Sequence, residues 1–339
     1  MNIKSLLLGS AAALAVVSGA QAADAIVAAE PEPMEYVRVC DAFGTGYFYI
    51  PGTETCLKIG GEVRATVYFA DDINGVAVDN GDWESEVRAR LTFETKNDSE
   101  IGTIGSYVRL QGYGESDFDN DAGAFSLNQA YITVGGFKVG YAATFIDDFD
   151  GPGESDMFYT TTVFNTASYT YSSDAFTVGL GVDDLSGFYN DNQVGIEAMA
   201  SATLGAVTAT AFAAYDIEAE EVALAGVLAA EVGPGTAYLM GAYSSGDSAY
   251  TEVGDLETAE WGIGAAYSFK ATEKLTLTAQ GMYYDNVDFL DVNAWAADLL
   301  VEYKLAEGLK ASADVMYLDT DVAGDDGAWS GYVRLTRSF

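Results

Sequence analysis

The sequence predicts an all-β protein: a closed antiparallel transmembrane barrel of sixteen strands, with short turns at one rim and long loops at the other. Three observations predict this fold class. Alternating segments continue to the last residue, the connectors between them alternate in length, and the lysines collect beside the short connectors. The stretch KIGGEVRATVYF, residues 58–69, shows the pattern, since apolar or small residues alternate with mostly polar ones. The key question is which face of such a strand points inward.

The beginning of the chain predicts export. Residues 1–22 combine Lys4, an apolar run over residues 6–17 and the small-residue sequence AQA at the end, as in a secretory signal peptide. We expect the mature chain to start near Ala23, and residues 23–56 to form an N-terminal extended segment with a disulfide loop. No later stretch has the consistent apolarity of a membrane-spanning helix.

The two cysteines of the chain, Cys40 and Cys56, lie just before the first clear strand. An even number of cysteines in an exported chain predicts one disulfide. Closing a loop of this size stabilises the fold by about 3 kcal/mol in the chain-entropy description.

The barrel domain is predicted to span residues 57–339. Its alternating segments number sixteen, an even number as a closed single-chain barrel requires. The predicted strands are residues 57–70, 83–96, 101–113, 125–135, 137–146, 166–172, 176–183, 193–204, 206–215, 221–232, 236–243, 259–270, 275–285, 293–305, 309–318 and 329–339.

The connectors sort into two kinds, which predicts two distinct rims. Short ones, such as residues 135–136 and 306–308, alternate with long ones, such as residues 71–82 and 319–328. These two long loops are acidic and contain no lysine or arginine. The lysines lie beside the short turns, at Lys58, Lys96, Lys138, Lys270, Lys274, Lys304 and Lys310. A soluble β-sandwich has no reason to show this alternation, whereas an up-and-down membrane barrel does.

The composition excludes several classes of function. Acidic residues outnumber basic ones 52 to 15, which argues against nucleic acid as a partner. The chain contains no histidine, so it lacks the commonest general base and metal ligand. We therefore expect no enzymatic activity, no cofactor and no metal site.

The arginines indicate which face points inward. Arg64, Arg88, Arg90, Arg109 and Arg334 all fall in the polar phase of predicted strands that become neighbours when the barrel closes. On a lipid-facing surface each would cost a few kcal/mol near the midplane, and in a soluble core they would be buried like charges. In a water-filled lumen they are solvated. We predict that these five residues form a basic belt on the wall of a pore.

A counterpart to this belt is predicted in the connector over residues 147–165. This connector carries the acidic residues Asp147, Asp148, Asp150, Glu154 and Asp156. If it folds into the lumen, its carboxylates face the arginines, and the gap between them holds a transverse electric field that sorts solutes by charge and dipole.

Three stretches resemble the general porins of alphaproteobacteria. These are VCDAFGTGYFYIPGTETCLKIGG at residues 39–61, LNQAYI at residues 127–132 and RLTRSF at residues 334–339. The resemblance covers essentially the whole mature chain. It implies a trimeric sixteen-stranded outer-membrane porin whose third loop narrows the channel opposite basic wall residues. Arg64, Arg88, Arg90 and Arg109 match that pattern by strand position.

The predicted function is passive diffusion of small hydrophilic solutes and ions across the bacterial outer membrane. The partners expected are outer-membrane lipid and lipopolysaccharide, two further copies in a homotrimer, and the barrel-assembly machinery, to which the terminal Phe339 would be presented. Two alternatives stay open: a substrate-selective channel, for example for sugars, and a structural or adhesive surface barrel. Conductance in planar bilayers separates the last of these from a porin.

Overall fold

The computed structural model describes residues 38–70, 83–115, 125–148, 151–154, 163–251, 258–323 and 327–339. The predicted signal peptide, residues 1–22, lies outside them. Within these ranges there is no helix long and apolar enough to cross a membrane.

The described residues form a single antiparallel sheet. Strand β1 is a two-residue strand, and strands β2 to β17 pair with their neighbours in sequence. Because β17 also pairs with β2, these sixteen strands close into a barrel. The strands are β1 (Phe48–Tyr49), β2 (Cys56–Ala70), β3 (Trp83–Ser99), β4 (Gly102–Glu115), β5 (Phe125–Val134), β6 (Phe137–Ala143), β7 (Val163–Ser172), β8 (Phe176–Asp184), β9 (Val194–Leu204), β10 (Val207–Asp216), β11 (Glu221–Val232), β12 (Gly235–Ser244), β13 (Ala259–Lys270), β14 (Leu275–Val287), β15 (Val292–Ala306), β16 (Leu309–Thr320) and β17 (Ala328–Ser338).

The predicted fold class is confirmed, and the sixteen predicted strands match β2 to β17 to within three residues at every end. The fifth predicted strand was drawn too long, since β6 ends at Ala143 rather than at residue 146. Phe145 and Ile146 are buried at 6% and 1% exposure instead of continuing along the wall. These two side chains leave the strand because they bury more apolar surface inside the barrel.

The apolar face of each strand points outward. On β2, Ile59, Val63 and Val67 are 46%, 45% and 46% exposed, whereas Thr66 between them is 2% exposed. This is the inverse of a soluble barrel, in which the apolar phase fills the interior. It fits a barrel whose outer surface meets lipid and whose inner surface meets water.

All four tryptophans lie on the outer surface at the long-loop rim. They are Trp83, Trp261, Trp295 and Trp329, each near the strand end at this rim. Tryptophan favours the interface between hydrocarbon and water, because its ring is apolar and its N–H is polar. The four rings therefore mark one boundary of the membrane-spanning band.

One side of the lumen is lined by apolar side chains. Phe212 on β10, Ala225 on β11, Met240 on β12 and Met282 on β14 point inward and are buried. They pack in one cluster with Ile146, which lies in the connector after β6. These inward side chains therefore form an apolar surface against which Ile146 packs.

The predicted Cys40–Cys56 disulfide is confirmed, with a Cα–Cα distance of 6.0 Å. It closes a segment, residues 40–56, that we call the N-terminal hairpin. In this segment β1 pairs with the start of β2, so that Phe48 lies opposite Leu57. The backbone N–H of Cys40 donates to the carbonyl of Tyr47 over 2.9 Å.

The C-terminal residue completes the closing pair of strands. The backbone N–H of Phe339 donates to Gly61 over 3.1 Å, and the N–H of Gly61 donates back over 3.2 Å. The Phe339 side chain is 59% exposed on the outer surface.

Deleting Phe339 is expected to lower the yield of heat-resistant oligomer on unheated gels. The deletion removes two backbone hydrogen bonds at the seam and the aromatic ring with the terminal carboxylate. Replacing Ser338 by alanine, which keeps the terminal aromatic residue, is the control. A normal oligomer yield from the deletion would contradict an assembly role for Phe339.

Candidate functional site

The five predicted arginines lie on four adjacent strands and point into the barrel. Arg334 is on β17, Arg64 on β2, Arg88 and Arg90 on β3, and Arg109 on β4. The strand register sets them close together. Arg64 lies directly opposite Arg88, Thr66 opposite Arg334, and Thr92 opposite Arg109. We call this set the arginine belt.

Glu62 lies inside the belt and links two of its members. Its carboxylate accepts a 2.5 Å hydrogen bond from Arg88 and lies 3.6 Å from Arg64. These three side chains are only 12–25% exposed. One carboxylate shared by two guanidiniums reduces their mutual repulsion and fixes their positions, but leaves the belt with a net positive charge.

The other belt arginines are held by neutral groups. Arg90 donates to the side-chain oxygen of Gln111, and Arg109 donates to that of Asn128. Both acceptors lie on the neighbouring strand of the same wall. Amide oxygens satisfy the guanidinium N–H groups without cancelling their charge, so both arginines remain available to attract anions.

Arg334 contacts Thr66 and the ring of Tyr332. Its Nε donates to Thr66 Oγ1 over 3.2 Å, and its guanidinium carbon lies 3.7 Å from the centroid of the Tyr332 ring. A guanidinium stacked on a tyrosine face at this distance has a restricted orientation.

The connector between β6 and β7 enters the lumen. We call its described residues, 144–148 and 151–154, the inner loop. The Phe145 N–H donates to the carboxylate of Glu197 on β9, and a Cβ on Gly179 of β8 would lie 2.5 Å from the Phe145 ring. A glycine at this position therefore gives the ring room against the wall. The following turn, Ile146–Asp148, contacts β10, which is on the opposite side of the barrel from β2.

The inner loop reaches the arginine belt at Glu154. Gly153 N–H donates to Gln280 on β14 over 3.1 Å, and Glu154 N–H donates to Asp298 on β15 over 3.3 Å. The Glu154 carboxylate accepts a 2.5 Å hydrogen bond from the Tyr332 hydroxyl and lies 3.7 Å from Arg334. The described parts of the loop therefore lie against the β9–β10 wall at one end and against β14, β15 and β17 at the other.

The inner loop approaches the wall closely at two glycines. A Cβ on Gly153 would lie 2.5 Å from a carboxylate oxygen of Asp298, and one on Gly151 would lie 2.6 Å from the Gln280 side-chain oxygen. The close approach of backbone to wall keeps the loop on its own side of the channel.

The predicted acidic residues are distributed unevenly. Glu154 is placed against the belt. Asp147 is exposed in the turn beside β10, so the structure does not bring it to the arginines. The side chain of Asp148, and the whole of Asp150 and Asp156, lie outside the described residues.

Sequence reasoning missed three acidic groups at this site, namely Glu62, Asp298 and Asp314. Asp298 and Asp314 are 5% and 2% exposed on the inward faces of β15 and β16, next to the end of the inner loop. The signal was available, because each falls in the inward phase of an alternating strand. Part of the negative side of the site is therefore built by the wall itself.

Two cavities adjoin the contact between the inner loop and the belt. One, of about 300 Å³, is lined by Tyr68, Glu84 and Asp314, and the other, of about 370 Å³, by Arg64, Lys304 and Lys310, among others. Glu154, Tyr332 and Arg334 line both. These three side chains thus form the partition between two water-accessible spaces.

A second connector also folds into the barrel. In the β12–β13 connector, Tyr250 is fully buried and donates a 2.6 Å hydrogen bond to Asp183 on β8, while Ala249 N–H donates to Asp216 on β10 over 2.9 Å. Burial, and then the Asp183 charge, raise the pKa of the Tyr250 hydroxyl, so it remains a donor at physiological pH. The spacing of polar residues in this connector did not predict that it folds into the barrel.

Comparison with known proteins agrees with this geometry. The family profile described as Porin subfamily matches residues 24–335. Porin Omp2a of Brucella suis is 36% identical over the full length of both chains.

Two solved structures share the fold. The outer membrane channel DcaP of Acinetobacter baumannii has a TM-score of 0.63 at 13% identity, covering 86% of this chain and 99% of its own. OmpT of Vibrio cholerae in a trimer form has a TM-score of 0.58 at 15% identity, covering 85% and 100%.

Proposed function

This chain belongs to the porin family and forms an outer-membrane channel, and from that premise we propose that it is a passive, water-filled diffusion pore for small hydrophilic solutes and ions. The proposed constriction lies between the arginine belt and the inner loop. No reaction or energy source is part of this proposal.

One observation carries the proposal. Glu154 of the inner loop meets Arg334 of the belt at 3.7 Å, at the partition between two cavities that are both lined by charged side chains. Glu84 and Asp314 line the first cavity, whereas Arg64, Lys304 and Lys310 line the second together with Glu62 and Glu302. A solute in transit passes fixed charges of both signs at short range, which supports selection by charge and dipole.

The wild-type channel is expected to conduct in planar bilayers with a modest preference for cations. The acidic balance of the mature chain, 52 acidic residues to 14 basic ones once Lys4 is removed with residues 1–22 (15 less 1), acts at the mouth, while Glu154 and the wall acids offset the belt inside. The preference should grow as ionic strength falls, because the Debye length is about 10 Å at 0.1 M salt and longer in dilute solution. The measurement is the reversal potential across a KCl gradient at two mean concentrations.

The outcomes separate the candidate functions. A clear anion preference at both concentrations would mean that the arginine belt outweighs the acids. A folded barrel that does not conduct would favour a plugged structural or adhesive barrel. Conductance that saturates with one sugar, and is blocked by it, would favour a substrate-selective channel.

The remaining features of the proposal concern export and assembly. We propose that residues 1–22 are removed on export, that the short turns face the periplasm, and that three copies assemble as a homotrimer. The trimer form of OmpT and the sequence resemblance support this oligomeric state. Outer-membrane lipid, lipopolysaccharide and the barrel-assembly machinery are the other partners proposed.

A further inference from the structure

The N-terminal hairpin is attached to the inner face of the barrel. Along β2, Leu57 and Ile59 belong to the outward phase, so Cys56 and Lys58 belong to the inward phase. The disulfide to Cys56 therefore draws Cys40, and the chain between the two cysteines, to the lumenal side of β2. Cys40 and Cys56 are both buried, at 0% and 1% exposure.

Tyr47 is the residue that the hairpin places over the lumen wall. It is 4% exposed and packs with both cysteines. Its ring lies 5.8 Å from the Lys58 ammonium and 5.4 Å from that of Lys96, and its hydroxyl donates to Glu94. Lys58 lies directly opposite Glu94 on β3, and Cys56 directly opposite Lys96.

The chemistry of this cluster restrains two cations. An ammonium group near the face of a tyrosine ring is attracted by the ring quadrupole, and a buried ring excludes water and ions from that side. Burial and the Glu94 hydrogen bond raise the pKa of the Tyr47 hydroxyl, so it donates to Glu94 throughout the physiological range. Both lysines and the glutamate are thereby held against the wall.

The position of this cluster along the channel differs from that of the arginine belt. On β2, Arg64 lies six residues beyond Lys58, and on β3, Arg90 lies six residues before Lys96. Six residues span roughly 20 Å along a strand. The cluster therefore lies at the short-turn mouth, in series with the constriction.

We propose that Tyr47, held by the Cys40–Cys56 disulfide, is a second specificity-determining residue of the channel. Its ring holds the ammonium groups of the exposed Lys58 and the half-buried Lys96 close to the wall and so limits their contact with anions at the short-turn mouth. This inference rests on the proposed function, because it assumes that ions pass this mouth.

The test compares four variants with wild type in planar bilayers. Tyr47→Ala removes the ring, and the paired change Cys40→Ser with Cys56→Ser releases the hairpin. Serine replacement is used instead of a chemical reductant because both cysteines are buried. Tyr47→Phe keeps the ring over the lysines and loses only the bond to Glu94. Phe48→Ala, at a position paired with the outward Leu57, is the matched control.

The expected result is a higher single-channel conductance and a reversal potential shifted towards anions for Tyr47→Ala and for the paired serine variant. Citrate, as a trivalent probe, should reduce the current of these two variants more than that of wild type. Tyr47→Phe should show a smaller shift, and Phe48→Ala none.

The contrary outcomes are distinguishable. Tyr47→Ala and the paired serine variant could both keep the wild-type conductance, reversal potential and citrate response. This result would overturn the role of Tyr47 and leave the porin function intact. A wild-type barrel that does not conduct would overturn the proposed function and this inference together. If Tyr47→Ala fails to fold, the paired serine variant and Tyr47→Phe decide the question.

Discussion

Replacing Arg88 and Arg90 together by alanine is expected to raise single-channel conductance and to shift the reversal potential strongly towards cations. Both guanidiniums project from β3 into the lumen at the centre of the arginine belt. Their loss widens the path and removes two positive charges from its wall, while Glu62 remains and can pair with Arg64, 3.6 Å away.

The size of this effect follows from Coulomb's law. A unit charge about 4 Å from a passing ion changes its energy by about 1 kcal/mol in water, and by more where the wall lowers the effective dielectric constant. An energy of about 1 kcal/mol corresponds to a roughly fivefold change in local ion concentration. We expect the cation-to-anion permeability ratio to rise by at least roughly this factor.

The matched control is Arg337→Ala. Arg337 is on β17 like Arg334, but it belongs to the outward phase at the short-turn rim and donates to the Glu307 carbonyl over 2.8 Å. Replacing Arg337 should change neither the single-channel conductance nor the reversal potential. If the Arg88 and Arg90 double variant keeps wild-type conductance and reversal potential, these side chains do not line the narrowest part of the channel.

The wall of the barrel could be predicted from sequence because its signal is local. Along a strand such as β2, successive side chains point to opposite faces. The faces of Val63 and Arg64 can therefore be assigned without knowing which distant residues they contact. The same reasoning placed the five belt arginines on adjacent inward positions. The count of strands followed from the number of alternating segments.

The contents of the lumen could not be predicted in the same way. The contacts of Glu154 with Asp298, Tyr332 and Arg334 join residues more than 140 positions apart. A connector has no hydrophobic periodicity from which such contacts could be predicted. The insertion of Tyr250 against Asp183 is of the same kind. Their only trace in the sequence is indirect: inward positions such as Phe212 and Met240 are apolar, which a wall facing open water would not favour.

Neutralising Glu154 should shift the reversal potential in the opposite direction to removing the arginines. Glu154→Gln keeps an oxygen that can accept from the Tyr332 hydroxyl, and it leaves the backbone bond to Asp298 in place, so the inner loop should stay seated. The change removes the negative charge beside Arg334 and leaves the belt less compensated. We expect the reversal potential to shift towards anions by a roughly fivefold change in permeability ratio, with little change in conductance.

Two further variants show whether the charge or the fit of Glu154 matters. Glu154→Asp retains the charge and should keep the wild-type preference for cations. Glu307→Gln removes one negative charge from an exposed short turn and should have little effect at 1 M salt, where the Debye length is about 3 Å.

The measurements are reversal potentials across KCl gradients at a high and a low mean concentration. Because the Glu154 carboxylate lies within 4 Å of Arg334, its effect should persist at high salt. An effect of Glu154→Gln that disappears at high salt, or that has the same sign as the arginine replacements, would place Glu154 outside the constriction.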